Sequence, residues 1–256
     1  MPSWLAYQCR KAFRPKTIRN GDITLSLAHD CLSPRVRKAL YKDGNELEER
    51  EIVGRNLAAD DVVLEIGAGI GMITIICCKT VGSDRVHTFE ANAAMEPALR
   101  KNFKLNSVSP HLEMKMVSLH GGQQDFFVAE QYVGSSRYHR TTSGNREIKE
   151  TKVESVSFNS LMRQVRPTFL VVDIEGAEVD LADPSVDLQC VEKICVEVHP
   201  RIVGDEATSH LIGSLVARGF ILRLSESRAD VLYFERAKGQ SQTNVAPAAA
   251  FEPRVA

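Results

Sequence analysis

From Asp61 onward, apolar and polar positions alternate between two periods, and the alternation predicts a chain of βα units. Residues 62–66 form a short apolar run that ends in glycines, 72–81 have the length and apolar content of a buried helix, and 85–90 form a second apolar run,. Pro97 suits the first turn of the next helix, where its missing N–H would be unpaired anyway, and Leu99 and Phe103 share a face four residues apart,. A strand is expected over 112–119. Residues 121–150, which include GSSRYHRTTSGN, have no clear period and exceed an ordinary connector, so they read as a binding loop or lid,. Order returns with a strand at 152–158, a helix at 159–165 and strands at 168–174 and 191–199. A helix follows at 207–218, stopped by Gly219, and 220–224 pairs with 231–235 as a terminal hairpin,. Repeated units of this kind imply a mostly parallel sheet with helices on both faces, and ligands of such sheets bind beyond the carboxyl ends of the strands.

The ends of the chain differ from its middle. The first twenty-one residues carry Arg10, Lys11, Arg14, Lys16 and Arg19 and no acid, with Leu5, Cys9, Ala12 and Phe13 at helical spacing,. An organelle-targeting helix fits this pattern, but a basic amphipathic helix lying over the domain is the preferred reading. The expected organisation is a basic, partly helical extension over 1–43, one domain over 44–237, and a disordered tail over 238–256, where Ala, Gln and Pro leave little to bury,.

Composition narrows the function. With 256 residues, 43% of them hydrophobic, the chain can bury a sizeable core, and its net charge of -1 supplies no global basic field for a nucleic acid backbone,. Six cysteines occur without a C-x-x-C pair or a clustered His, so they read as reduced core thiols,. No apolar run approaches the roughly 20 residues that span a bilayer. A cytoplasmic protein with no membrane partner is expected.

The stretch VVLEIGAGIG places Gly67, Gly69 and Gly71 directly after the first strand of the βαβ unit, where a bare backbone lets a ligand press against the main chain,. No Lys or Arg appears between Asp61 and Cys78, which leaves a triphosphate without a cation,. Glu65 before the loop would repel a pyrophosphate but suits an ammonium group. S-adenosylmethionine has the complementary charges: an ammonium for Glu65, a carboxylate for the helix N-terminus, and a ribose diol for an acid ending the second strand. Glu90 occupies that last position. Ala68, Ala91, Ser118 and Asp173 complete the expected cofactor set.

Beyond the cofactor lies FLVVDIEGAEVD, an apolar run that ends in Asp173 and continues to Glu175, Glu178 and Asp180. Asp173 can take a proton from a substrate hydroxyl, support the sulfonium charge, ligate a divalent metal, or brace the loop through main-chain N–H groups. Glu175 lies on the same side if the backbone stays extended, and is a base or substrate-binding candidate. Glu178 and Asp180 are expected in the first turn of a helix, stabilised by its dipole. In CVEVHPR, Glu197 and His199 are two apart and face one way, and Pro200 forces an exit from the strand, which makes His199 a third base candidate,. No third metal ligand is identifiable beside Asp173 and Glu175, so no metal is expected.

Several strings together resemble the FkbM-type methyltransferases: VVDIEGAE at 171–178, FEAN at 89–92, LRKNFKLN at 99–106, GSS at 134–136 and VEVHP at 196–200. The resemblance covers about 44–236. It implies a Rossmann-like class I methyltransferase fold, with a mostly parallel seven-stranded sheet and a C-terminal antiparallel hairpin, and O-methylation of a hydroxyl on a small molecule or glycan. Neither the [DN]-P-P-[YFW] tetrapeptide of base amino-group methylation nor a Pro-Cys nucleophile occurs, and nucleic acid is not expected as a partner. The alternatives are a nicotinamide-dependent dehydrogenase and a binding module that keeps the cofactor pocket without turnover.

Overall fold

The structure, a computed structural model, describes residues 4–29, 32–129 and 148–237. The expected disordered tail, the GSS string and Cys31 lie outside the described residues. No helix among the described residues is long and apolar enough to cross a membrane, and the five described cysteines are unpaired.

In chain order the elements begin with α1 (Trp4–Phe13), the hairpin strands β1 (Thr17–Asn20) and β2 (Ile23–Ser26), α2 (Pro34–Lys42) and α3 (Leu47–Asn56). The βα units follow as β3 (Val63–Ile66), α4 (Met72–Val81), β4 (Val86–Phe89), α5 (Glu96–Leu105) and β5 (His111–Glu113). Then come β6 (Met116–Ser118), β7 (Gly122–Ala129), β8 (Ile148–Ser157), α6 (Phe158–Val165) and β9 (Phe169–Val172). The chain closes with β10 (Lys193–Glu197), α7 (Pro200–Val203), α8 (Asp205–Ala217), β11 (Phe220–Leu222) and β12 (Val231–Arg236).

Seven strands form the central sheet in the order β11-β12-β10-β9-β3-β4-β5. The five strands from β10 to β5 run parallel, and β12 is antiparallel to both β10 and β11. This is the expected Rossmann-like class I methyltransferase topology, closing hairpin included. The period of two decides which residues face which layer. Leu64, Ile66, Leu170, Val172, Ile194 and Val196 pack with Leu161 of α6 and Leu211 and Leu215 of α8. Their neighbours Val63, Phe169, Val171 and Cys195 pack on the opposite side with Ile52 and Val53 of α3 and Ile73 and Cys77 of α4. Burial on both faces explains why these strands read as unbroken apolar runs.

Two local expectations change. The single strand foreseen over 112–119 divides: β5 stays in the central sheet, while β6 joins β7 and β8 in a separate three-stranded sheet. The aperiodic stretch from 121 supplies β7 and the start of β8, paired antiparallel from Gly122 opposite Ser155 to Ala129 opposite Ile148. Gly122 and Gln123 are exposed in consecutive positions, so the start of β7 lacks a strict alternation,.

The N-terminal segment is built into the molecule. Ile18, Ile23, Leu25, Val36 and Leu40 share a core with Ile70, Met72, Leu99 and Phe103. Asn102, 1% exposed, ties that core together: its Nδ2 donates to the Ile70 carbonyl in the glycine loop, and its Oδ1 accepts from the Ser26 amide in β2.

Gly67 leaves β3 with φ +99, and a Cβ there would stand 1.8 Å from the Asp173 carbonyl oxygen. Gly67→Ala is therefore expected to lower stability by at least about 2 kcal/mol, because strain and a backbone collision act together. Gly54→Ala, within α3 and facing open space, should instead gain about 0.5–1 kcal/mol from helix propensity. Urea unfolding of both variants checks the pair, and equal midpoints would contradict the close approach.

Candidate functional site

The carboxyl ends of β3, β4 and β9, with β6 beside them, surround a cavity whose wall includes Gly67, Gly69, Glu90, Ala91, Asp173 and Glu175. Six of the residues singled out in the sequence are thus brought together. Ile66, Phe89, Met116, Val117 and Phe126 give it an apolar side, the surface a nucleoside base needs,.

Glu90 follows β4 and is 8% exposed. Its Oε2 accepts from the Gly69 amide at 2.9 Å and its Oε1 from the Asn92 amide at 2.8 Å. Burial raises its pKa to about 7, against the opposing pull of these amides. One acid thereby fixes the glycine turn while lining the cavity.

Other expected cofactor residues act from behind the wall. Glu65 does not face the cavity as an ammonium partner: it is 2% exposed, and its Oε2 accepts from Thr74 Oγ1 at 2.5 Å and Thr88 Oγ1 at 2.7 Å. These bonds hold α4 to β3 and β4, and burial raises Glu65 to about 7. Ala68 is buried in the shared core, and Gly71, with φ +82, leads into α4 against Phe103. Ser118 is turned to Ser155, with the two Oγ atoms 2.7 Å apart. None of these four residues lines the cavity.

The acidic string after β9 forms a tight knot. The Asp173 amide donates to the Ile66 carbonyl at 3.0 Å and continues the parallel ladder one residue past both strands. The backbone does not stay extended: Glu175 adopts φ 51 and Gly176 φ 105, so the chain reverses and still leaves Glu175 on the cavity wall. Positive φ at a non-glycine residue is a local strain that surrounding structure must enforce. Glu178 supplies part of the enforcement. It is fully buried in a 3-10 turn, Ala177–Ala182, rather than in the first turn of an α-helix, and its Oε2 accepts from the Gly176 amide at 2.7 Å. Its Oε1 accepts from the His199 amide at 2.9 Å and lies 3.2 Å from His199 Nδ1.

His199 is therefore held by Glu178 on one side, while its Nε2 lies 3.7 Å from Asp173, Glu175 and Glu197 on the other. Burial works to lower its pKa, but the bond to Glu178 and the charges of Glu178, Glu175 and Glu197 outweigh it, so the ring is held above its ordinary value. The carboxyls are pushed upward as well. Asp173 is raised by desolvation and by Glu197, Glu49 and Glu175, and its Oδ1 accepts no hydrogen bond. Glu197 is raised to about 8 by burial and by the hydrogen bond it shares with Glu49, and Glu46 to about 8 by burial and the charges of Glu65 and Glu197. These groups exchange protons as a set rather than singly.

The sequence supplied two possible metal ligands, and the fold brings in others. Ligand atoms of Asp173, Glu197 and His199 lie within 4.8 Å of one another, a donor set of oxygen and imidazole that a divalent cation accepts,. Glu197 lines the cavity, and Asn45 and Glu46 reach it from the turn before α3, where Glu46 has φ 49. Nothing in the periodicity of that turn marks it as functional. The Glu197 and His199 spacing was the one signal that could have led to Glu197.

A family model, the TRM5/TYW2 methyltransferase domain, matches residues 34–134. This corrects the FkbM-type resemblance and the small-molecule or glycan acceptor it implied, and also the expected absence of a nucleic acid partner, which rested on net charge and missing motifs. No curated protein matches the sequence. Among solved structures, Trm1 from Pyrococcus horikoshii in complex with S-adenosylmethionine is 13% identical, covering 86% of this chain and 60% of its own at a TM-score of 0.47. TYW2 from M. jannaschii, also with S-adenosylmethionine, is 14% identical, with 86% of each chain covered and a TM-score of 0.41. The ribosomal protein L11 methylase from Lactobacillus delbrueckii is 15% identical over 75% of this chain and 77% of its own, at 0.44. The chain is a methyltransferase, and S-adenosylmethionine is the molecule bound in the Trm1 and TYW2 structures.

A ribose diol donates a stronger hydrogen bond to a carboxylate than to a protonated acid, so cofactor affinity is expected to weaken as pH falls through about 7, the value to which burial raises Glu90,. Glu90→Gln should bind more weakly at pH 8 and lose most of that pH dependence. Calorimetric titration between pH 6 and 8 checks this, and the same slope in both proteins would contradict it.

Proposed function

We propose that the protein transfers the methyl group of S-adenosylmethionine to a nucleotide of tRNA. The observation that carries this reading is the family match over 34–134, which takes in α2, the glycine turn, Glu90 and the β6 side of the cavity. Charge distribution supports it. Although the net charge is -1, the first 42 residues hold nine Lys and Arg against two Asp, so the excess acid belongs to the rest of the chain. The overall balance therefore conceals a basic face, and local field rather than net charge governs the approach of a polyanion.

The cavity chemistry suits an acceptor that arrives with a proton on nitrogen or oxygen. Its lone pair forms the bond to the methyl carbon, the carbon–sulfur bond breaks with its electrons going to sulfur, and the acceptor proton passes to the Asp173 carboxylate. An acid with a raised pKa is a stronger base near neutrality than an exposed one. Glu175, beside it on the wall, accepts a hydrogen bond from the acceptor. His199, whose pKa its carboxylate neighbours hold above the ordinary value, is a positioning residue beside the cluster. Holding donor and acceptor in line contributes ~7–11 kcal/mol, against roughly 3–5 kcal/mol for the base, so the geometry of the strand tips outweighs any one side chain.

Incubation with S-adenosylmethionine carrying a tritiated methyl group should label the tRNA fraction of a cell extract in a ribonuclease-sensitive form. Asp173→Asn is expected to lower turnover by about 10²- to 10⁴-fold and to leave the cofactor Kd within about twofold. Label confined to low-molecular-weight hydroxyl compounds, or full turnover by Asp173→Asn, would contradict the reading.

A further inference from the structure

A second concavity, of about 740 Å³, lies between α1, the chain that leads into β1, and α2. Lys11, Arg14, Lys16 and Lys38 line it, all four are exposed, and none forms an ion pair among the described residues. A fifth cation on the wall, Arg37, is engaged internally: its guanidinium donates to the carbonyls of Leu27 and His29, the latter at 2.8 Å. The remaining four crowd like charge into one groove with no counter-ion among the described residues, an arrangement that an external anion would relieve. Tyr7 and Tyr41 line the groove with them. Trp4 and Phe13 of α1 are 73% and 82% exposed.

From these observations we infer that the groove seats the phosphodiester backbone of the RNA whose nucleotide enters the cavity. The inference rests on the proposed tRNA substrate and locates its contact surface. Unpaired Lys and Arg with exposed aromatics form the pairing that single-stranded nucleic acid uses, cations for phosphates and rings for bases. An anionic bilayer also attracts such a helix. A bilayer presents a broad face, however, whereas these cations line a concavity shaped to a strand. Position favours RNA too. Tyr41 lines the groove and Asn45 lines the cavity; they are four positions apart, at most roughly 14 Å of chain. A strand lying in the groove has its neighbouring nucleotides within reach of Asp173.

The test measures binding of the full chain to a tRNA transcript by fluorescence anisotropy across a salt series, beside calorimetric titration with S-adenosylmethionine. Substituting Lys11→Ala, Arg14→Ala and Lys38→Ala together should weaken RNA binding and reduce the slope of log K against log salt by about 2–3, at 0.7–0.9 per phosphate contact. Cofactor affinity should not change, and Lys11→Arg with Lys38→Arg should keep the wild-type slope. If wild-type protein binds and methylates tRNA while the triple variant keeps its slope and affinity, the groove inference falls and the substrate reading stands. If wild-type protein neither binds nor methylates tRNA, both fall. Vesicles containing phosphatidylserine serve as the remaining arm: binding to them that the triple variant loses, with RNA binding unchanged, would overturn the inference in favour of a lipid surface.

Discussion

The carbonyl oxygen of Asp173 occupies the space a side chain on Gly67 would need, and the site is built around that contact. Two parallel strands end side by side, and the chain leaving one touches the chain leaving the other. Only a bare backbone with positive φ allows it. The glycine turn proposed to face the cofactor and the acid proposed to face the acceptor are thus parts of a single junction. Glu90 locks the junction from the third strand through the Gly69 amide, and Asn102 locks it from outside through the Ile70 carbonyl. Movement at any of these points displaces donor and acceptor relative to each other, which is where most of the barrier lowering originates.

Desolvation governs the electrostatics of the same region. Glu46, Asp173 and Glu197 converge with one imidazole for company, and burial pushes all three carboxyls upward. An acid with a raised folded pKa contributes stability that is complete below its unfolded value and is lost as pH rises through the folded one. The site therefore works against the fold between about pH 5 and 8. A bound cation, whether a sulfonium or a metal, favours the charged carboxylates and offsets that cost. Glu178 keeps the cluster in register by holding both Gly176 and His199.

Much of this was legible in the sequence because the central strands are buried on both faces and the glycines sit at their ends. The mostly parallel sheet followed from repeated βα units, and Gly67, Gly69, Glu90, Asp173 and Glu175 all reach the cavity. Residues without a periodic signal were missed. Glu46 lies in a turn, Gln123 at the start of β7 where alternation is not strict, and the sequence marks Glu197 only through its spacing to His199. Glu65 misled because charge complementarity says nothing about which way a side chain points, and Thr74 and Thr88 claim it internally. The family resemblance misled for a related reason: short acidic strings at strand ends recur wherever this fold needs carboxylates, and they do not specify the acceptor. Net charge averages a basic N-terminal segment with an acidic domain, so it does not argue against the proposed partner,.

A crystal structure with S-adenosylmethionine bound is the most direct test of the central claim. The account predicts the ribose diol on Glu90, the base between the apolar residues of β6 and β7, and the sulfonium methyl directed toward Asp173 and Glu175. A nucleoside bound elsewhere, or a methyl group directed away from the two carboxylates, would contradict it.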